Sequence, residues 1–391
     1  MRTLTLSTVF MALAVPALAN VACGGSFGDF TAKMNAEAVR RGHDAQAAAQ
    51  FFSGVRQDPA VIRADRSQGI FQRPFTDFAR RLISQGRLQN GVANAKRYDA
   101  VFDRIEREWG VNRGVLLAFW AFETDYGAVQ GNFNTVNALM TLAHDCRRPD
   151  LFRPQVFSAL ELFERGDLDP RRTTGAWAGE IGMVQMLPGD IIENGVDGDG
   201  DGKVTLKTSP ADALMSGGRM LSSLGWRRGE PWLQEVTVPS DLDWSQTGLE
   251  TTRKTSDWAR LGVKPRSGSL GPGKLPASIL LPQGRNGPAF IAYPNFSVYF
   301  EWNKSFVYVM TAAYFASRIE GGPVFNAGSP TQALSADQMK ALQTKLSARG
   351  HDVGGVDGIL GRQTRAAVQK EQARLGLPAD AWPTLDLLGR L

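Results

Sequence analysis

The chain has 391 residues but only three histidines, His43, His144 and His351, and two cysteines, Cys23 and Cys146. The histidines are scattered and no HExxH occurs, which removes the zinc-hydrolase pattern. CxxC pairs, a G-x-S-x-G nucleophile elbow and a Walker loop are also missing. Metal-dependent, serine-dependent and nucleotide-dependent hydrolysis therefore lack their parts. The net charge is +5, yet no dense Lys/Arg block appears, which argues against a nucleic-acid partner and leaves acidic polymers such as anionic lipid or bacterial wall. Beyond the first twenty residues no run reaches the roughly 18 apolar residues that span a bilayer. "FVYVMTAAYFA" (306–316) is too short and reads as a buried helix.

What is present starts with an export signal. "MRTLTLSTVFMALAVPALAN" carries Arg2, an apolar stretch and Ala17-Leu18-Ala19, the pattern of a signal peptide spanning 1–19 and cut after Ala19. A periplasmic protein is expected. In an oxidising compartment an even cysteine count suggests a Cys23–Cys146 disulfide. The alternative for Cys23 is lipidation as an outer-membrane lipoprotein, although Asn20 stands where a lipobox would have Leu.

With 43% hydrophobic and 21% charged residues, the composition is that of an ordinary globular protein, and the length suggests two or three units. Residues 24–110 carry apolar residues at helical spacing, as in Val101, Phe102, Ile105 and Trp109, a stripe stopped by Gly110. Helical signals continue through 154–166 and 210–225. From Pro239 to Pro288 the texture turns to Gly, Pro, Ser and Thr with strand-like pieces "SILLP" and "AFIAY", an irregular, partly β insertion. Helix returns with "FSVYFEWNKSFVYVMTAAYFASRIEGG" (296–322). Residues 322–334 have linker composition. After them Ser335 and Gln338 are spaced as a capping box, and 335–391 read as a compact three-helix module.

Carboxylates remain as candidate chemistry. Glu123 follows Leu116, Leu117, Phe119, Trp120 and Phe122. It is either a salt-bridged helix carboxylate or an acid whose pKa is raised by apolar neighbours, as a general acid requires. Asp125, two residues on, points elsewhere on a helix. In "GAWAGEIGMVQMLPGD" (175–190), Gly175, Gly179 and Gly182 allow a close backbone approach, near Gln185 and Met186, and a tight turn between helices is the plainer reading. "DGDGDGKVT" places Asp197, Asp199 and Asp201 at positions 1, 3 and 5 of an EF-hand-like loop. Thr208 stands where the bidentate Glu belongs, and Asp212 lies a turn later. A solvated acidic turn is the alternative.

Together these stretches resemble the B-type lytic murein transglycosylases, bacterial enzymes that cleave peptidoglycan with a lysozyme-like helical fold. The resemblance covers about Cys23 to Gly321. "LLAFWAFETDYG" matches the segment of the family's single catalytic glutamate, which falls on Glu123. "GAWAGEIGMVQMLP" matches its G-S-W/Y-A-G-A-M-G-x-x-Q-F-M-P stretch, and "YPNFSVYFEWNKS" its N-F-x-x-x-x-x-x-N-x-S segment. The resemblance thereby implies substrate contacts from Trp177, Gln185, Tyr293, Trp302 and Asn303. It also makes Asp197, Asp199, Asp201 and Asp212 a candidate Ca²⁺ site, structural in role, with no cofactor required. Departures are Ala176 for serine, Glu180-Ile181 for Ala-Met, and Met220 where an aromatic often lines the cleft. Residues 335–391 resemble the peptidoglycan-binding repeat, G-x-x-D-G-x-F/L-G-x-x-T-x-x-A-V-x-x-F-Q, with Glu371 in place of Phe.

The expected fold is mainly α: a lysozyme-like α+β catalytic domain (20–321) with a small β insertion, a linker (322–334) and the binding module (335–391). The implied reaction cuts the bond between N-acetylmuramic acid and N-acetylglucosamine. Glu123 acts first as acid and then as base, and the muramoyl C6 hydroxyl closes a 1,6-anhydro ring. Most glycosidases need two carboxylates; this one needs a single one. The alternatives are a muramidase of the same fold that uses water, and an inactive wall-binding scaffold. The expected partner is the glycan strand of peptidoglycan, with cell-wall synthesis or division proteins as further candidates, and the chain is expected to act as a monomer.

Overall fold

The computed structural model describes residues 21–67 and 72–391; the signal sequence expected at 1–19 lies outside them. Helices dominate, and their centre is the acid helix, Arg113–Thr124. Asn112 caps it, Oδ1 accepting the Gly114 N–H at 2.7 Å, and every residue from Gly114 to Ala121 is buried. A helix that is apolar all round has no solvent face and must be surrounded. It is surrounded by Phe306–Ile319, Gln85–Arg97, Asp99–Trp109 and Pro210–Ser223. Asp125 and Tyr126 then take positive φ (51° and 60°), which ends the helix one turn earlier than Gly127 suggests.

Two small sheets flank this body. β1 (Phe133–Asn134) pairs with β2 (Thr174–Gly175). The second is antiparallel and joins β3 (Leu233–Thr237), β4 (Arg253–Lys254), β5 (Lys264–Pro265), β6 (Pro276–Leu280) and β7 (Ala289–Ala292) in the order β4-β6-β7-β3-β5. It wraps a second apolar cluster around Trp258, Ile279 and Ile291, where the Trp258 Nε1–H reaches the Ala277 carbonyl at 2.8 Å. The sheet begins at Leu233, ahead of the Pro239 boundary suggested by composition. "LQEVT" is half-exposed and too short for its alternation to stand out.

Cys23 and Cys146 are joined, with Cα atoms 5.3 Å apart, so the Cys23 thiol is committed to the bond rather than free for acylation. The bridge ties the start of the described chain to the end of the Thr135–His144 helix, where Gly24 N–H also donates to His144 O at 2.9 Å. Residues 322–334 hold no helix or strand, yet they lie against the body. Phe325 packs with Phe75, Phe290 and Tyr314, its ring centroid 4.9 Å from that of Tyr314. The C-terminal module comprises Ala336–Ala348, Arg362–Arg374 and Leu385–Arg390 around Leu342, Leu346, Val368 and Leu387. The Ser335–Gln338 capping box forms. No described helix is long and apolar enough to cross a membrane.

Candidate active site

Glu123 sits on the last turn of the acid helix and receives two hydrogen bonds, both on Oε1. The Trp302 indole N–H donates at 3.2 Å, and the Tyr308 hydroxyl makes a short bond to the same oxygen. Oε2 takes no hydrogen bond from any described residue. Phe119, one turn back, stacks on Trp302 with centroids 4.3 Å apart and also meets Tyr299. This apolar wall withdraws solvent and raises the Glu123 pKa to about 7. The Tyr308 bond opposes the rise, the Glu180 charge adds to it, and the Trp302 bond opposes it again. Desolvation dominates because the two donors are neutral and offer no compensating charge. Among the described residues Glu123 makes no salt bridge, so the ion-paired alternative is not what the fold builds.

Asp125 does point away: its carboxylate pairs with Arg87 at 2.9 Å. Between them Thr124 is buried, and its hydroxyl donates to Met183 O at 2.6 Å. That bond fastens the 175–187 turn beside the Glu123 carboxyl. The turn closes through paired Ile181 and Met186, with Gln185 at φ 54°. The Gln185 amide donates to Gly182 O at 2.7 Å and Gln130 O at 3.4 Å. The glycines admit the protein's own atoms. A Cβ on Gly179 (φ 89°) would meet Leu139 at 2.3 Å, and one on Gly182 (φ 81°) would meet Leu206 at 2.5 Å.

The other expected contacts divide. Trp177 is half-buried against the main core. Asn303 caps the Tyr308 helix junction, accepting Ser305 N–H at 2.9 Å. The Tyr293 hydroxyl belongs to the β insertion, donating to Gln234 at 3.1 Å and accepting from Gly271 N at 2.9 Å. Glu123 and Trp302 are thus brought together, while Asn303 and Tyr293 make no hydrogen bond to Glu123. Two neighbours of Glu123 were not among the expected site residues, Tyr308 and Glu180. Tyr308 lies within an apolar run, where only its hydroxyl in a buried helix hinted at a partner. Glu180 stands out as a departure from the family pattern. Burial raises its pKa too, and its Oε2 is buried without a hydrogen-bond partner.

Asp197, Asp199 and Asp212 converge, with one carboxylate oxygen from each within 4.8 Å of the others; Asp201 is outside that group. Asp212 is fully buried and accepts Gly198 and Thr205 N–H at 2.8 and 2.7 Å. Asp197 accepts from Gly200 and Gly202 at 2.6 and 2.8 Å. Lys207, nearby in sequence, turns instead to Thr174 O at 2.6 Å.

Residues 26–317 match the family model of the transglycosylase SLT domain, and residues 335–391 match that of a peptidoglycan binding domain. Membrane-bound lytic murein transglycosylase B of Escherichia coli (strain K12) is 25% identical over 303 residues, covering 72% of this chain and 82% of that protein. Among solved structures, SltB3 from Pseudomonas aeruginosa in complex with NAG-anhNAM-pentapeptide is 36% identical. It superposes with a TM-score of 0.86 over 94% of this chain and 99% of that one. The Escherichia coli lytic transglycosylase Slt35 in complex with calcium is 25% identical, with a TM-score of 0.65 over 77% of this chain and 96% of that one.

Proposed function

The chain belongs to the transglycosylase SLT family and is a lytic transglycosylase acting on peptidoglycan; from that premise we propose that Glu123 alone serves as its acid and then its base, and that the product ends in 1,6-anhydro-N-acetylmuramic acid. The observation that carries this reading is the Glu123 pKa of about 7 in an apolar wall with two neutral donors on one oxygen. Near neutral pH a large share of the enzyme holds a proton on Glu123, as acid catalysis needs. Glu123 delivers that proton to the glycosidic oxygen between N-acetylmuramic acid and N-acetylglucosamine. The C1–O bond breaks, and the substrate's 2-acetamido group stabilises the cationic C1.

The carboxylate left behind is held by Tyr308 and Trp302, whose hydrogen bonds strengthen as charge forms on Oε1. It then takes the proton from the C6 hydroxyl, whose oxygen bonds to C1. No water is consumed. An attack from within the same sugar has a large effective-molarity advantage. Gln185, Trp177 and Trp302 line the sugar path, and residues 335–391 hold the enzyme on the wall. Export by the 1–19 signal sequence puts it in the periplasm, with the Cys23–Cys146 bridge suited to that oxidising space. The Asp197, Asp199 and Asp212 oxygens suit a hard cation such as Ca²⁺, which would fix the loop after the Gln185 turn.

Mass spectrometry of the released muropeptides tests the reading. An anhydro product is one water lighter than the product of hydrolysis. A hydrolytic mass from purified enzyme overturns the transglycosylation step, and no release at all points to a binding scaffold.

A further inference from the structure

The C-terminal module docks through one stripe of its middle helix, Arg362–Arg374. Arg362, Arg365 and Gln369 are spaced three and four residues apart, so they share a face. They occupy positions that the repeat's pattern leaves free, while the patterned Thr364, Ala367, Val368 and Gln372 are buried. Arg362 Nε meets Glu250 at 2.6 Å. Gln369 Nε2 donates to Trp244 O at 3.0 Å and Thr247 O at 2.9 Å, both in the β insertion. On the far side of the contact, Asp380 accepts the Arg285 backbone N–H at 3.0 Å. Gln72 donates to Asp357 O, also at 3.0 Å.

Arg365 is the centre of this contact. Its guanidinium donates to Pro282 O at 2.7 Å and lies 4.3 Å above the Phe306 ring, with the Trp382 ring at 5.9 Å. Burial lowers its pKa to about 9, with Asp380 opposing the fall, so it remains cationic at neutral pH and attracts the ring face. The voids flanking it measure only about 30 and 40 Å³, so the joint is packed at Arg365, while a wider cavity of about 300 Å³ borders Arg362 at its edge. Phe306 is the first residue of the helix that carries Tyr308, and Ser305 caps that helix through the Tyr308 N–H. Trp302, the other donor to Glu123, ends the helix just before it. The superposition on SltB3 extends over 94% of the chain at a TM-score of 0.86, so the module's placement is common to both proteins.

We infer that the module is a brace for the catalytic site as well as a wall anchor: Arg365 is a positioning residue that seats the start of the Tyr308 helix and thereby holds Tyr308 and Trp302 on Glu123. The inference rests on Glu123 being the acid. A floating anchor would leave the chemistry on small substrates untouched, whereas a brace would not.

The test compares full-length wild type, Arg365→Ala and Arg365→Lys on short, soluble, uncrosslinked peptidoglycan glycans, with sacculus pull-down alongside. Arg365→Ala is expected to lower kcat about tenfold or more, since small misplacements of catalytic groups are costly, with KM changed by less than about twofold on the same grounds. Its alkaline pH limb should move upward as the Tyr308 bond loosens. Arg365→Lys, which keeps a cation over Phe306, should recover most of the rate. If Arg365→Ala does not fold, Gln369→Ala, which removes two donor bonds from the same joint, should show the same split at smaller size. Wild-type kcat and pH limb in a folded Arg365→Ala protein overturn the inference, as does a loss confined to sacculus binding. A wild type that makes no anhydro product would instead overturn the assigned chemistry, so the two failures are distinguishable.

Discussion

Glu123 in the catalytic body and Glu371 in the C-terminal module are both set into helices with little water around them, and their carboxyls are driven in opposite directions. Glu371 is met by His351 at 2.8 Å and by Arg374 at 2.8 Å, with Arg349 at 4.0 Å. The Arg374 bond and then that of His351 pull its pKa below the ordinary value against the cost of burial. Glu123 meets a phenol and an indole instead, and its pKa rises to about 7. Burial alone does not make a catalytic acid. What separates the two is whether the polar partners carry charge: cationic partners fix a carboxylate, while neutral donors leave a proton that can be given away.

The largest test removes the titrating group. Glu123→Gln should lower turnover of soluble glycans by about 10²–10⁴-fold, the usual weight of a general acid–base, while sacculus binding persists. Its stability should change with the opposite sign. A folded-state pKa raised from 4.5 to about 7 favours the neutral form. Wild type therefore loses stability as pH rises through that window, approaching about 3 kcal/mol at its upper end. Thermal melts at pH 8 should show Glu123→Gln more stable than wild type, and melts below pH 4.5 should show the two alike. Equal melting at pH 8 would mean that Glu123 is better solvated than its surroundings imply.

Glu371→Gln should do the reverse. Loss of its charge-assisted bonds should cost about 1–2 kcal/mol at neutral pH without altering kcat on soluble glycans. Because the Glu371 pKa is lowered in the fold, its contribution is present above the ordinary carboxylate pKa and fades as pH falls through the folded value. Wild type and variant should therefore converge in acid. A gap that widens on acidification would contradict the ion-cluster account.

Finer changes act on Glu123 from its two sides. Tyr308→Phe removes a bond that favours the carboxylate, so the alkaline limb of kcat/KM should move to higher pH, with kcat down about tenfold, a single hydrogen bond to a charged group. Glu180→Ala restores the residue of the family pattern and removes a like charge, so that limb should move to lower pH. Shifts in the same direction for both variants would break the account of what sets the acid.

Much of this was legible where the cause is local. The acid helix is apolar at every turn, so a raised pKa for Glu123 was one of the two readings its sequence neighbours allowed, the other being an ion pair, and a capping box announced the module. Trp302 came only through a family motif, since 179 residues separate it from Glu123. Tyr308, 185 residues away, was hidden in a run whose hydrophobicity already had an explanation. The Gly-rich turn was legible as a close approach, but not that Leu139, Leu206 and the Glu180 carbonyl are what approach it. Residues 322–334 had linker composition, yet Phe325 anchors them, because one aromatic among Gly, Pro and Ser outweighs the average. The docking face of the module was invisible, since its residues lie where the repeat's pattern is silent.

A third set of carboxylates extends the comparison to groups that meet neither a cationic side chain nor an aromatic wall, but one another. Asp197, Asp199 and Asp212 are gathered within 4.8 Å and restrained by backbone N–H groups, which lower the Asp197 pKa through Gly202 first. Three like charges this close repel one another, and amide dipoles relieve only part of that repulsion. A divalent cation bound by the fold and not by the unfolded chain would relieve the rest, with stability rising by mass action. Millimolar Ca²⁺ should therefore raise the melting temperature by a few degrees over chelator, about 1 kcal/mol when the ion is several-fold above its Kd. Asp197→Asn should abolish that increment. Asp201→Asn should leave most of it, because Asp201 stands outside the converging group. The rate on soluble glycans at a temperature where both forms are folded should be the same, since the loop presents no acid to the sugar. Identical melting curves with and without Ca²⁺ would return these aspartates to an acidic turn held by its own backbone, and equal loss from Asp197→Asn and Asp201→Asn would show that the ion, when bound, gathers a different set of oxygens.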